Sequence, residues 1–448
     1  MVTNSLEGKV NEMSEKYIIT SAQYGASVNY NFLDSLETMS KEYNAEIIIL
    51  PMKGRSIEDT ELHVDLQCYK VINNNFKLND KIRISEYEIN PQMIIPVTGL
   101  ARLTQSDVST IFASPKQMMK VVPNSNEKLP KVLMTTGAVT NAYYRDNRIG
   151  RIAALDHRYG ALIVETDGRS GYHYRQLQSL KNGTMVDLGR KYRGKDKPVF
   201  TRPEAMVLGD IHVGDTNKSV MKETYEMFSK YKPKRVFLHD LFNGVSVNHH
   251  NDGKVATLAK NNKNLNLLSE MRVVSNALED IVRHLPNDTE VVVVRSNHDE
   301  WVEKYIESGN FLKEPQNTKF GAELLLELIN GHNLLEYGIK QFYNNDRVKF
   351  LSADEDYKVL GWQLGNHGHY GANGGRGSIR SIEFANGKSI TGHSHTPQIF
   401  RNAFVVGTST NLKLDYNKGY SGWMNTHGML YDNGKVQLVN IIKGKHRG

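Results

Sequence analysis

Ala205-Met206-Val207-Leu208-Gly209-Asp210-Ile211-His212-Val213-Gly214 is a short apolar run that stops at a glycine and gives way to an Asp-x-His pair. Such a run, bounded by turn formers, reads as a buried strand, with the carboxylate and imidazole just past its carboxyl end. The arrangement recurs downstream. Residues 235–238 lead to His239-Asp240-Leu241-Phe242-Asn243, and 291–294 lead to Ser296-Asn297-His298-Asp299. Residues 358–364 lead to Asn366-His367-Gly368-His369, and 389–391 lead to Gly392-His393-Ser394-His395. Helical patterns fill the gaps at 219–230, 265–285 and 321–330. Strands alternating with helices predict an α/β fold. In open α/β sheets ligands bind beyond the carboxyl ends of the strands, where successive loops converge. Core histidines placed for packing alone have no reason to follow strand ends.

The five blocks supply Asp, His, Asp, Asn, His and a closing His-x-His, with no thiolate. Oxygen and imidazole donors in this mixture suit Mn²⁺, Fe or Zn²⁺, with Mg²⁺ also open, whereas thiolates select softer ions. An Asp between two divalent ions can bridge them, and a two-metal site can activate water and clamp both oxygens of an in-line displacement at phosphorus. The set implies a hydrolytic phosphoesterase. Singly the blocks are weak: Asp-x-His is common at strand ends, and Asn297-His298-Asp299 could be an ordinary turn or helix cap.

Composition bounds the chain. Its 448 residues exceed the usual size of one core, so two domains are expected. One cysteine, Cys68, excludes an internal disulfide framework, fits a reducing compartment and reads as a small buried residue. There is no apolar run of the ~18 residues needed to span a membrane, and the first 16 residues are polar and mixed in charge, unlike a signal peptide. A cytoplasmic setting is expected. The net charge of +7 is compatible with a polyanionic substrate.

Ahead of these blocks, residues 1–15 read as a flexible arm and 16–200 as a smaller α/β domain. Strands are expected at 17–22, 45–51, 93–97, 132–136 and 161–166, and a helix at 31–43. The first strand–helix–strand unit favours parallel pairing. Residues 181–203, rich in Lys, Arg and Gly, are expected to be the boundary. Their basic residues Arg190, Lys191, Arg193, Lys195, Lys197 and Arg202 are broken up by Gly194, Asp196 and Pro198, which suggests a solvated linker.

The blocks together resemble the calcineurin-like metallophosphoesterase superfamily, over roughly residues 204–440. Two positions depart from its pattern: His239 and Ser296 stand where that family has glycine. The resemblance implies a catalytic domain over 204–448, built as a four-layer β-sandwich flanked by helices. It implies that Asp210, His212 and His395 hold one metal, that Asp240 bridges, and that Asn297, His367 and His393 hold the other. Asp240 and His298 would be the catalytic pair, His298 lying near substrate to stabilise or protonate the leaving oxygen. His367 and His369 compete for one ligand place, and His367 is nearer the strand end. Every ligand position holds a competent donor, which argues against a scaffold that has lost its metals.

For substrate contacts, His249 and His250 follow the bridging block, and His369 is the remaining histidine of its own block. The glycine-rich stretch 371–378 lets backbone N–H groups approach a phosphate, with Arg376 and Arg380 adding charge. The longer extension 369–378, with residues 20–23, 131–140 and 159–165, resembles a tailed-phage branch that includes proteins similar to the host-DNA-degrading nuclease of some siphophages. At superfamily level it is similar to DNA double-strand-break repair nucleases. The resemblance implies a metal-dependent DNase with DNA as partner and manganese as the favoured metal. A nucleotide or small-molecule phosphoesterase is the alternative. So is a regulatory protein whose N-terminal domain binds a host protein. A homo-oligomer is compatible with each.

Overall fold

The computed structural model describes residues 15–105, 107–125, 129–248, 266–353, 355–414 and 417–447. The expected arm lies outside them except for Glu15, which opens the first strand, Glu15–Gln23. That strand pairs in parallel with Glu46–Met52 across the helix Tyr30–Tyr43, as the strand–helix–strand pattern predicts. It forms a five-stranded sheet with Gly160–Thr166, Tyr172–Gln178 and Lys70–Val71.

A six-stranded sheet carries the first three chemistry-bearing blocks. Its order is Val348–Phe350, Glu290–Val293, Arg235–Leu238, Ala205–Val207, Thr426–Leu430 and Val436–Asn440. The first four strands run parallel, so their carboxyl ends open on one edge. Side chains alternate between faces. Met206, Leu208, Val236, Leu238, Val291 and Val293 pack with the helices Lys218–Tyr231, Leu267–Arg283 and Asn297–Glu307. Ala205, Val207, Phe237, Val292 and Val294 turn to a second core shared with the other large sheets. The protein is thus an α/β fold.

The ten-stranded sheet crosses the expected domain boundary. Gln398–Phe400 pairs antiparallel with Met118–Val122, which joins Ser389–Thr391 and Ala403–Val405 to Lys131–Thr135 and Ser109–Phe112. Residues from both halves of the chain fill the second core. Residues 181–203 are not a solvated linker. They hold a small sheet of Met185–Asp187, Arg190–Tyr192 and Val199–Phe200. Three of the segment's cations are tied down, Arg190 to Glu42 at 2.6 Å, Arg202 to Asp288 at 2.7 Å, and Lys191 to Asp432, while Arg193, Lys195 and Lys197 are exposed.

Three other expectations are corrected. Residues 93–97 are bends and turns and not a strand, because Pro96 falls within them and Pro91 just before, and proline cannot donate to a ladder. Residues 358–364 are a tight hairpin of Lys358–Val359 and Trp362–Gln363, with Leu360 at φ 50° and Gly361 at φ 77° making the turn. Cys68 is exposed, with Sγ against the Asp65 carbonyl at 3.2 Å. Among the described residues no helix is long and apolar enough to cross a membrane.

Candidate metal centre

The loops that follow the strands continue each other's ladders, and this places the donors. Ile211 and His212 donate their backbone N–H groups to the carbonyls of His239 (3.0 Å) and Asp240 (2.7 Å). Asp210 N–H bonds Gly407 O at 3.1 Å, and Ser409 N–H returns to Asp210 O at 2.8 Å. Gly392 N–H bonds His367 O at 2.9 Å, joining the His367 block to the His-x-His block. A Cβ on Gly392 would stand 2.1 Å from Asp210 Oδ1, so this turn needs glycine for the carboxylate to fit.

Four of the sequence-predicted ligands have left-handed backbone: His212 (φ 45°), Asp240 (45°), His393 (70°) and His395 (54°). Such conformations are costly for residues other than glycine and concentrate where function constrains the chain. Here they turn four donors inward at the sheet edge.

The side chains converge in two linked groups. Asp210, His212, Asp240 and His395 bring ligand atoms within 4.8 Å of one another, and so do Asp240, His367 and His393. Asp240 belongs to both. His395 Nε2 lies 3.1 Å from both His212 Nε2 and Asp210 Oδ2. Asp240 Oδ2 lies 3.4 Å from His212 Nε2 and 3.1 Å from His367 Nε2. Asn297, at the start of the Asn297–Glu307 helix, sets its Oδ1 3.1 Å from His393 Nδ1. Asp210 and Asp240 are buried, and among the described residues Asp210 Oδ1, Asp240 Oδ1, His212 Nδ1 and His395 Nδ1 have no hydrogen-bond partner. Buried carboxylates left short of partners are expensive unless they coordinate a cation. The donor set therefore fits divalent metal.

Burial also sets the protonation. It pushes His212 well below its ordinary imidazole value, His239 down to about 3 and His393 down to about 4, so all three are neutral with a lone pair to give. Burial would lower His367 too, but the facing Asp240 carboxylate overrides it and holds the imidazole up to about 9. Burial likewise favours a neutral Asp240, yet His367, His298 and His212 hold its carboxyl well below the usual range. His367 thus keeps a proton through neutral pH, and metal must displace it. Metal uptake is expected to strengthen by up to about tenfold per pH unit as pH rises toward about 9, then level off. Calorimetric affinities at pH 6.5, 7.5 and 8.5 check this, and a pH-independent affinity would contradict it.

Of the two histidines that compete for one ligand place, His367 stands within the donor groups and His369 outside them. His367 is buried against Asp240, whereas His369 Nε2 pairs with Glu300 Oε1 at 3.1 Å. His369 lines a cleft of about 260 Å³ beside His367, with Arg295, Glu300 and Tyr370. Arg376 is exposed, its backbone bridged to Tyr370, and the Arg380 guanidinium lies 5.9 Å from the Phe400 ring centre. His249 and His250 lie outside the described residues. His298 sits beside the centre, its ring 4.7 Å from that of His212.

Several supporting residues escaped the sequence reading. His239 is fully buried with Nδ1 3.2 Å from His367 Nδ1, and with Asp210 and His367 it forms a third donor group. Its position on the strand end was a signal, read only as a missing glycine. Thr408 and Ser409 donate their hydroxyls to Asp210 O and Gly209 O, both at 2.9 Å. His427 accepts from Gly209 N–H at 2.9 Å, bracing the same turn from inside a strand. Nothing local in the sequence marks these three.

Fold and site define an α/β protein with a buried Asp/His cluster able to bind metal. No family model matches the chain. It is similar to Protein A1 of Escherichia phage T5, at 26% identity over 477 aligned positions that cover 99% of this chain and 85% of that protein.

Proposed function

We propose that the chain is a metal-dependent phosphodiesterase of the calcineurin-like type, with the layered sandwich of that family, and that it serves as a phage DNase. The observation that carries the reading is Asp240, whose carboxylate belongs to two donor groups at once, as a bridging ligand must. Asp210, His212 and His395 would hold one ion, and Asn297, His367 and His393 the other, with Mn²⁺ the best fit to this hard and borderline donor set. Bound there, the ions would supply Lewis acidity to the phosphoryl oxygen and lower the pKa of a water nucleophile. The chain's residues do the rest. His298, at the rim of the centre, would act as general acid from its doubly protonated form, giving the Nε2 proton to the leaving oxygen while Nδ1–H stays on the Asn243 carbonyl. Asp210 and Asp240 hold the negative charge that keeps cations in a buried site. Similarity to a phage protein and the net charge of +7 support the setting and a polyanionic substrate.

Hydrolysis of plasmid DNA with Mn²⁺, set beside a small aryl phosphodiester, tests the assignment. Both should be cleaved, and DNA binding should weaken with salt as phosphate contacts release counterions. Replacing Arg376 and Arg380 together should reduce DNA cleavage about tenfold or more while sparing the small substrate, which has no extended phosphate track. Cleavage of the aryl ester without DNA cleavage under any metal would overturn the DNase reading in favour of a small-molecule enzyme.

A further inference from the structure

The Asn297–Glu307 helix carries His298 in its first turn and Trp301 three residues on, the spacing at which side chains meet on a helix surface. The two rings stack, with centroids 3.9 Å apart and planes 26° from parallel. The same indole lies against Gly244, where a Cβ would come 2.9 Å from Trp301 Cε3. Gly244 has φ 73°, so both its conformation and its missing side chain make room for the ring.

The residue before that glycine closes the arrangement. Asn243 O lies 2.7 Å from His298 Nδ1. A carbonyl oxygen has no proton to give, so Nδ1 is the donor, and in the neutral ring Nε2 keeps its lone pair. Two adjacent residues, Asn243 and Gly244, therefore touch both rings, one by accepting the imidazole proton and the other by seating the indole. His298 is only half-buried. The Asn243 carbonyl alone holds one edge of the ring, and the indole against its face adds the second restraint that opposes turning about χ2 and exchange of the nitrogen presented to the centre.

We propose that Trp301 is a positioning residue that fixes the orientation and tautomer of His298, holding Nε2 as the nitrogen that exchanges a proton with substrate. This rests on the phosphodiesterase reading for its purpose, but the geometry stands apart from it. Trp301 lies outside the two donor groups that share Asp240 and meets the centre through its stack on His298.

The imidazole ¹⁵N shifts of His298, assigned by their loss in His298→Ala and read at one fixed pH on the full-length metal-free chain, report the tautomer. The wild type should show a single Nδ1–H form. Trp301→Leu and Gly244→Ala should each shift His298 toward a tautomer mixture, and Trp301→Phe should restore the wild-type pattern. On an aryl phosphodiester with Mn²⁺, Trp301→Leu should lower kcat about 10- to 100-fold with KM and metal content little changed, the size of effect a small misplacement of a reacting group produces. Trp301→Phe should recover most of that loss. An unchanged Nδ1–H signature in both Trp301→Leu and Gly244→Ala overturns the proposal whatever the activity, as does metal loss that accounts for the whole fall in kcat. Absence of hydrolysis by the wild type would instead strike the phosphodiesterase reading, and the tautomer result would still decide the role of Trp301.

Discussion

Asp240→Asn is expected to lower phosphodiester hydrolysis by about 10²–10³-fold, the loss that follows removal of a preorganised electrostatic group from a buried site. The substitution is nearly isosteric, and Asn tolerates the left-handed conformation found at position 240 (φ 45°), so the loop should keep its shape. Charge is what changes. Asp210 and Asp240 are the two carboxylates in the shared donor groups, and Asp240 is common to both. An amide in its place halves the negative charge and removes the anion that faces His212 and His367 at 3.4 and 3.1 Å. Metal content per chain should fall together with turnover. A metal-binding protein gains stability in proportion to how tightly the folded state holds the ion. Added Mn²⁺ should therefore raise the wild-type unfolding midpoint and barely move that of Asp240→Asn. Exhaustive chelation of the wild type should reproduce the defect. Mn²⁺ should reverse it better than Ca²⁺, whose flexible all-oxygen preference fits imidazoles poorly. Full activity after chelation would remove the metal from the reaction altogether.

The parts of this site that can be read from sequence share one physical cause. A donor just past a buried strand reports its own position, because the strand is recognisable from a local apolar run and its carboxyl end is fixed by the turn that follows. Asp210, Asp240 and the His393/His395 pair follow this rule. Asn297 follows it only in part: it lies past Glu290–Val293 but also opens a helix, so the backbone there faces the centre with its N-terminus. The left-handed conformations of His212, Asp240, His393 and His395 left no trace, since none is glycine. Long-range pairing was equally silent. Met118–Val122 and Gln398–Phe400 meet in one sheet from distant parts of the chain, and their patterns specify a buried strand without naming a partner. Where the reading failed locally, punctuation had been outweighed by apolar content. Pro91 and Pro96 break 93–97, and Gly361 splits 358–364 into a hairpin.

His298→Ala and His393→Ala should separate proton transfer from metal binding. His298 lies outside both donor groups that contain Asp240, and its Nδ1 is held by the Asn243 carbonyl at 2.7 Å. Removing it should leave metal content nearly intact while turnover falls about 10²–10⁴-fold, the usual size of a lost general acid. A substrate with a better leaving group should lose less, because its oxygen departs without needing the proton. His393 has no such independence. It completes the group with Asp240 and His367, and its Nδ1 faces Asn297 Oδ1 at 3.1 Å. Burial holds its imidazole down to about 4, so at neutral pH the ring is uncharged, with Nδ1–H donated to that amide oxygen and the lone pair left on Nε2. His393→Ala should lose one ion per chain, lose activity on good and poor leaving groups alike, and recover part of it at high Mn²⁺ by mass action. Metal analysis by mass spectrometry beside turnover on two aryl esters reads both variants. Equal metal loss in the two, or equal sensitivity to the leaving group, would place His298 among the ligands and leave the proton without an assigned donor.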